Sequence, residues 1–487
     1  MGPVLLLELD DSHGSTLAAR VTGAIRQAIT GGRLPPGARL PSSRSLATDL
    51  GLSRGVVVAA YARLADEGFL VSRPGSATRV SDIYPVPAAP KAVSSPADAS
   101  GLVAIDLRPG PPDLAAFPRA AWLRAIRSTL SEIADSDLGY VSPWGTDTLR
   151  SALAGYLARV RGADVTPETI VVVNGVTQGL TLLVRVLRAA GHRQLAVESP
   201  SNAAQRGVLS SHGLSMVDVP VDEDGVDVEA LARTHCRAVL VTPAHQFPRG
   251  TQLSSERRAA LVRWAEDVDG VILEDDYDSD FRYERLPMSS LQGLAPTRVA
   301  LIGSVSKTLA PGLRLGWVAP PPALVDALRA TKRNDDFGGS VIEQHALACL
   351  LTSGEYDGHL RMLRRRYRGR RDALLAAVAR ELPDWPVTGV AAGLHLLIEP
   401  PAEVDEAALV RQAAVRGLLI QGTGRMYGTL PPHPGIVLSY ARGPVSMFYE
   451  GMRRLAEAAG HAVAGAPAID AGRRRPGHAS GTAEDYF

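Results

Sequence analysis

Ser304-Val305-Ser306-Lys307-Thr308-Leu309-Ala310-Pro311-Gly312-Leu313-Arg314-Leu315-Gly316-Trp317 sets one lysine between hydroxyls and an arginine. A lysine amine forms a Schiff base with a carbonyl when desolvation or nearby positive charge lowers its proton affinity. Ser304, three residues before Lys307, offers a hydroxyl, and Arg314, seven residues after it, offers a planar guanidinium fork. Together these groups can hold a phosphate dianion. Pyridoxal phosphate (PLP) carries both an aldehyde and a phosphate, so the stretch reads as a site for that cofactor. Taken alone, Ser304–Lys307 fits a surface turn equally well, and the neighbouring stretches decide.

Beyond Ile105 helical stretches alternate with short β-branched runs at Ile170–Val173, Gln194–Val197, Ala238–Val241, Gly270–Leu273 and Arg298–Ile302. Strands separated by helices predict an α/β fold with a mostly parallel sheet covered on both faces, whose ligands sit at the carboxyl ends of the strands. The informative stretches fall at those ends. Asn174-Gly175-Val176-Thr177-Gln178-Gly179 follows the first run and opens a helix, whose free N–H groups suit a phosphate. Glu274-Asp275-Asp276-Tyr277-Asp278-Ser279-Asp280 follows the fourth and holds too many carboxylates for a loop without positive partners. A carboxylate facing a pyridine nitrogen keeps it protonated and the ring electron-withdrawing, so one of these aspartates is expected to do that. A metal site is the rival reading, but no further regularly spaced oxygen ligands follow and none is expected.

The 487 residues exceed one domain, with 45% hydrophobic and 21% charged residues. No apolar run approaches the roughly 18 to 20 residues of a membrane span. Met1–Leu9 lacks a basic region ahead of its leucines and soon meets Glu8, Asp10 and Asp11, so a cytoplasmic protein is expected. Cys236 and Cys349 are too few for a disulfide framework or a thiolate cluster and read as buried small hydrophobes. The net charge of +1 hides an asymmetry: residues 12–80 hold nine arginines against Asp49, Asp66 and Glu67. A surplus of six positive charges in so short a segment points to a polyanionic partner.

Within that segment Leu17, Val21, Ala24, Ile25, Ala28 and Ile29 recur at helical spacing, with Ser15 as the expected N-cap and Gly31-Gly32 as the stop. A short helix ending at Gly51 and a second helix opened by Ser53 make a helix-turn-helix. Gly68–Val80 alternates around Pro74-Gly75 and reads as a two-stranded wing. Residues 81–103 are rich in proline, alanine and serine and read as a tether, which in polyproline geometry reaches up to roughly 70 Å. Residues 465–487 read as a disordered tail. The run Arg361, Arg364, Arg365, Arg366, Arg368, Arg370 and Arg371 places arginine all round a helix, which predicts a solvated face rather than a nucleic-acid stripe.

Residues 12–80 resemble the DNA-binding domain of GntR-type bacterial regulators, through Leu40-Pro41-Ser42-Ser43-Arg44-Ser45-Leu46-Ala47 and Ser53-Arg54. Residues 104–464 resemble the fold-type I aminotransferases, with a small α+β subdomain over roughly 335–464. That resemblance rests on Gly139–Gly145, Thr242–Pro248, Glu274–Ser279 and Ser306–Arg314. The union of the two resembles the MocR subfamily of transcription regulators.

The resemblance implies that Lys307 carries the Schiff base, Asp275 faces the pyridine nitrogen and Tyr277 reaches the ring hydroxyl. It also implies a phosphate site of Ser304, Arg314, Val176 and Thr177, with Tyr140 supplied by the partner in a head-to-tail homodimer. Arg44, Arg54 and Gly75 are the implied DNA contacts.

Departures from the resembled pattern bear on function. Phe247 stands where aminotransferases have an asparagine beside the ring hydroxyl, a substitution that MocR proteins share. Val437 stands where aminotransferases keep the arginine for the substrate carboxylate. Gly55-Val56 replaces a polar pair after Arg54, and Asn202 stands where a ring-stacking aromatic is common. Arg206, Arg425 and Arg442 could replace the missing clamp, with Arg206 and Arg442 the expected effector residues. The expected protein is a PLP-binding transcription regulator, not an enzyme, that binds promoter DNA and senses an amine, an amino acid or vitamin B6 itself. A working aminotransferase with a vestigial winged helix and a DNA-binding repressor with a dead cofactor fold are the alternatives.

Overall fold

The computed structural model describes residues 16–71, 77–82, 105–283, 288–429 and 432–462. Contacts divide the chain into two units, Met1–Ala99 and Ser100–Phe487.

The first unit packs α1 (Leu17–Thr30), α2 (Ser43–Leu50) and α3 (Arg54–Asp66) against a ribbon of β1 (Leu70–Val71) and β2 (Arg79–Val80). Thr16, not Ser15, caps α1: its backbone is extended and its Oγ1 accepts from Ala19 N at 3.2 Å. Ser15 lies outside the described residues. Ser42 caps α2, and Gly51, at φ 65°, ends it in a left-handed turn that a side chain would strain. Ser53 occupies the N-cap position of α3 but makes no side-chain capping bond. Val21, Ile25, Leu46, Val57 and Leu64 close on Leu70 and Val80. Each such burial stabilises by roughly 1.5–3 kcal/mol, enough to hold a small unit without a disulfide.

The second unit opens with β3 (Ile105–Asp106) and is built on an eight-stranded sheet. Its strands are β4 (Val171–Val173), β5 (Gln194–Ser199), β6 (Ser215–Asp222), β7 (Gly225–Val226), β8 (Ala238–Val241), β9 (Val271–Asp275), β10 (Val299–Ser304) and β11 (Gly316–Ala319). Their order is β4-β11-β10-β9-β8-β5-β6-β7. Only β11 and β7 run against their neighbours; β10, β9, β8, β5 and β6 are parallel. Alternate residues enter opposite cores: Ala238 and Leu240 one, Val239 and Val241 the other. A sheet buried on both faces needs such continuous apolar strands, which is why these runs were legible.

A second, antiparallel sheet of residues Val387–Thr388, His395–Ile398, Ile436–Ser439 and Gln421–Gly422 packs with the helices Glu355–Glu381 and Ser446–Ala459. Ile105–Asp106 pairs in parallel with Leu418–Leu419 and so fastens the start of this unit to its end. Two expectations need correction. The arginine run is not wholly solvated: Arg370 is buried and joins Arg366 on Asp113, and Arg364 Nε donates to Asp280 O at 2.5 Å. The helix is packed on two sides, so part of the ring of arginines turns inward and finds acceptors. Cys236 is buried as expected, whereas Cys349 is half-buried against a core.

Candidate functional site

The carboxyl ends of β4, β5, β9 and β10 converge on a cavity of about 430 Å³ lined by Lys307, Asp275, Tyr277, Ser304, Arg314, Val176 and Thr177. Every cofactor residue expected on this chain except Tyr140 therefore meets in one place. After α4 (Arg119–Glu132) and α5 (Asp147–Arg161), helix α6 (Val176–Ala189) points its N-terminus at the cavity, and Gly175 enters it at φ 86°. A Cβ on Gly175 would lie 3.0 Å from the Arg314 guanidinium, so only glycine lets the arginine lie across the turn. Arg314 also donates to Asn174 O. Free N–H groups, a helix dipole and a guanidinium together form an anion site. Ser304 Oγ accepts weakly from Ser306 N at 3.4 Å and keeps its own proton available.

Lys307 Nζ donates to Gly110 O at 2.7 Å. Desolvation holds its amine below the usual lysine range, opposed by the charges of Asp278 and then Asp275. A lysine so placed keeps more of its amine unprotonated, as a Schiff base requires.

The acidic run resolves into separate roles. Glu274 accepts from the N–H groups of Leu291 and Gln292, Asp276 forms a buried pair with Arg161 at 2.8 Å, and Asp280 accepts from Tyr156 Oη. Asp278 takes His245 Nδ1 at 2.8 Å. Asp275 alone turns an unsatisfied atom to the cavity: Oδ2 accepts from Gln205 Nε2 at 2.5 Å, while Oδ1 has no partner among the described residues. Burial pushes its carboxyl up to about 7, against the hydrogen bond from Gln205. An orphaned buried carboxylate oxygen is costly without a cationic donor. A protonated ring nitrogen would satisfy it, and the anion cradle and desolvated lysine lie in the same cavity. The residues present thus fit PLP, which when bound supplies an aldehyde for amine capture and an electron-withdrawing ring.

Tyr277 is held by donating to His245 O at 3.0 Å, and burial raises its phenol well above the usual range. Phe247 and Val437 pack with Leu397 and Met426 in an apolar cluster, so the place expected for a carboxylate clamp is greasy. Arg206 lines the cavity but pairs with Asp218 at 2.7 Å. Arg442 pairs with Asp106 at 3.4 Å and donates to Arg108 O. Arg425 is exposed. Tyr140 stands fully exposed on this chain.

In the first unit Arg44 and Arg54 are exposed near the start of α2 and α3, with Arg54 Nε 3.4 Å from Ser43 Oγ. Arg26 and Arg63 instead both pair with Glu67. Gly75 lies outside the described residues. Sequence reading gave no role to Gln205, His245, Asp278, Glu198 or His395. His245 and Asp278 sit inside stretches quoted above, and Gln205 lies one turn beyond Asn202, whereas His395 carried no local signal. Glu198 lines the cavity, takes three donors from Thr242 and Gln246, and is pushed up to about 7 by burial.

Residues 106–431 match the family Aminotransferase class I and II, and residues 17–80 match the family Bacterial regulatory proteins, gntR family. The chain is 35% identical to the HTH-type pyridoxine biosynthesis transcriptional regulator PdxR of Corynebacterium glutamicum, over 90% of this chain and 94% of the relative. It is 32% identical to the "Probable rhizopine catabolism regulatory protein MocR" of Rhizobium meliloti, over 93% and 96%. Among solved structures, the multiple substrate aminotransferase of Thermococcus profundus superposes with a TM-score of 0.68 at 26% identity, over 73% of this chain and 91% of that one. Relatives that share both halves along nearly their whole length place the present chain with them: it belongs to the MocR-type transcription regulators, in which a GntR winged helix is joined to a fold-type I aminotransferase-like domain.

Proposed function

We propose that this regulator binds promoter DNA through residues 12–80 and reads PLP at Lys307, so that occupancy of the cavity changes DNA affinity. In this reading Lys307 is the Schiff-base lysine, Asp275 meets the pyridine nitrogen and Tyr277 the ring oxygen. Ser304, Arg314, Val176 and Thr177 hold the phosphate. Tyr140 reaches the cavity of the partner subunit in a head-to-tail homodimer, which a tether over 81–103 permits. The aminotransferase-like domain acts as a sensor in the cytoplasm and not as a turnover enzyme. The observation that carries this is the apolar cluster of Phe247, Val437, Leu397 and Met426, which withholds both the amide donor and the carboxylate clamp of a transaminase while Asp275 and Lys307 remain. A relative named for pyridoxine biosynthesis supports vitamin B6 as the signal.

A second reading, in which an amine or amino acid is the effector, is favoured by one observation. Arg108 and Arg442 share the single carboxylate of Asp106, so a ligand carboxylate could take the Arg442 end. Titrating amines and amino acids into PLP-loaded protein, with the visible band followed, separates the two. A PLP-dependent DNA shift without a spectral response to any amine supports PLP as the signal, whereas a saturable response to amino acids that Arg442→Ala abolishes supports the second. Steady multiple turnover with an amino acid and a 2-oxo acid, unaffected by removing residues 1–80, would establish instead an active aminotransferase with a vestigial winged helix.

A further inference from the structure

Behind Tyr277 lies a buried polar cluster that the proposed roles do not use. His245 and Asp278 are each 1% exposed at the side chain, with Nδ1 and Oδ2 2.8 Å apart. Tyr277 Oη lies 3.0 Å from His245 O and 3.2 Å from His245 Nδ1. Nε2 of the same ring is buried without a partner among the described residues. The ring of His395 stacks obliquely on it at 4.8 Å, and Phe247 packs edge-on against His395 at 5.1 Å.

The cluster is clamped on its far side. A Cβ on Gly393 would lie 2.0 Å from His245 Cε1 and 2.5 Å from Asp278 Oδ2. Gly393 is itself fixed, because its carbonyl accepts from Tyr283 Oη at 2.6 Å and Tyr440 Oη at 2.7 Å. Tight packing therefore leaves His245 one orientation, with Nδ1 on Asp278 and its carbonyl on Tyr277.

We propose that His245 and Asp278 are positioning residues for the cofactor's ring oxygen: they hold the Tyr277 hydroxyl in place and take over the polar support that Phe247, lacking an amide, cannot give. The logic is that of a carboxylate fixing an imidazole, which in turn orients a third group. With Nδ1–H spent on the carboxylate, the Tyr277 proton is left to the His245 carbonyl, the Asp278 carboxylate or a ligand oxygen. The hydroxyl is then a donor waiting on the ring. This inference rests on the reading that PLP binds at Lys307.

The groups facing the pair are His395, Tyr277, Tyr283, Tyr440, Asp275 and Lys307, and the Asp278 carboxylate favours the protonated amine of Lys307 more than Asp275 does. The test is a double-mutant cycle on the PLP-loaded full chain, read as the pH midpoint of the visible band. Asp278→Asn lowers that midpoint by about one pH unit in the parent protein. In the Tyr277→Phe background the same change lowers the midpoint by at least about half a unit more, because the loss of the carboxylate is there no longer offset by misplacing a hydroxyl whose donation to the ring oxygen itself lowers the midpoint. His245→Gln, which keeps an amide donor toward Asp278, is run in the same cycle and gives the answer if Asp278→Asn does not fold. Equal shifts with and without the Tyr277 hydroxyl, or no shift, would overturn the relay and leave Asp278 a distant charge or a packing residue. Absence of any visible band in the parent protein would overturn the cofactor reading and the relay with it.

Discussion

Asp275 keeps Oδ1 buried at the cavity without a partner among the described residues. Its carboxyl is pushed up to about 7 by burial, so the folded protein binds a proton more tightly there than the unfolded chain does. Stability contributed by that proton is present at low pH and falls as pH rises from the ordinary carboxylate range through about 7, because the folded state then holds an ionised, half-satisfied group. Asp275→Asn should therefore flatten that part of the stability–pH curve and raise the stability of the PLP-free protein at pH 8 by roughly 1–3 kcal/mol. It should also abolish most of the melting-temperature gain from PLP, and thermal melts at pH 5 and 8 with and without PLP check both. Sequence made Lys307 and Arg314 legible because both lie on one continuous stretch. It could not choose among Asp275, Asp276, Asp278 and Asp280 by itself, since the choice depends on which carboxylate finds Arg161, His245 or Tyr156 in the fold. His395, brought in from a distant strand, left no trace at all.

Among the elements, the junctions of strand and helix matter most. Gly175 enters α6 with φ 86° under the Arg314 guanidinium. Gly175→Ala forces a strained backbone and displaces that guanidinium, at a cost of order 1–3 kcal/mol. PLP affinity measured by absorbance titration should fall at least tenfold, with the fold kept by circular dichroism. In the sheet, Gly303 faces Trp317 across the β10–β11 pair, and a Cβ there would lie 2.6 Å from the indole. Gly303→Ala should destabilise by roughly 1–3 kcal/mol in denaturant unfolding, as overpacking does.

The five apolar runs were visible because strands of a sheet buried on both faces must be apolar throughout. β6 was not, since most of its residues are half-buried or exposed and Pro220 argues against a strand interior. β11 begins at the end of a stretch read for its chemistry. The helical arginine run misled in part, because composition shows charge but not the acceptors of Asp113 and Asp280 that draw some of it inward.

On the scale of the whole molecule, the sequence reveals two chemistries in one chain: a basic segment of about seventy residues and a cofactor cavity. Arg44→Ala and Arg54→Ala, both exposed on the helix-turn-helix, should each weaken promoter binding and reduce the slope of log affinity against log salt by about one if the contact is to phosphate. Neither should change PLP binding. Residues 81–103 were legible only as composition, since a run rich in proline, alanine and serine has no period from which a position could be derived.

Control of DNA binding by PLP is tested by a DNA-binding titration on the chain's own upstream region, by footprinting or fluorescence anisotropy, with PLP-free and PLP-loaded protein and with Lys307→Ala. PLP should shift the affinity of the parent protein at least fivefold in one direction, a coupling of about 1 kcal/mol, and Lys307→Ala should remove the shift while still binding DNA. Identical DNA affinity with and without PLP in a protein whose visible band shows the cofactor bound would contradict it.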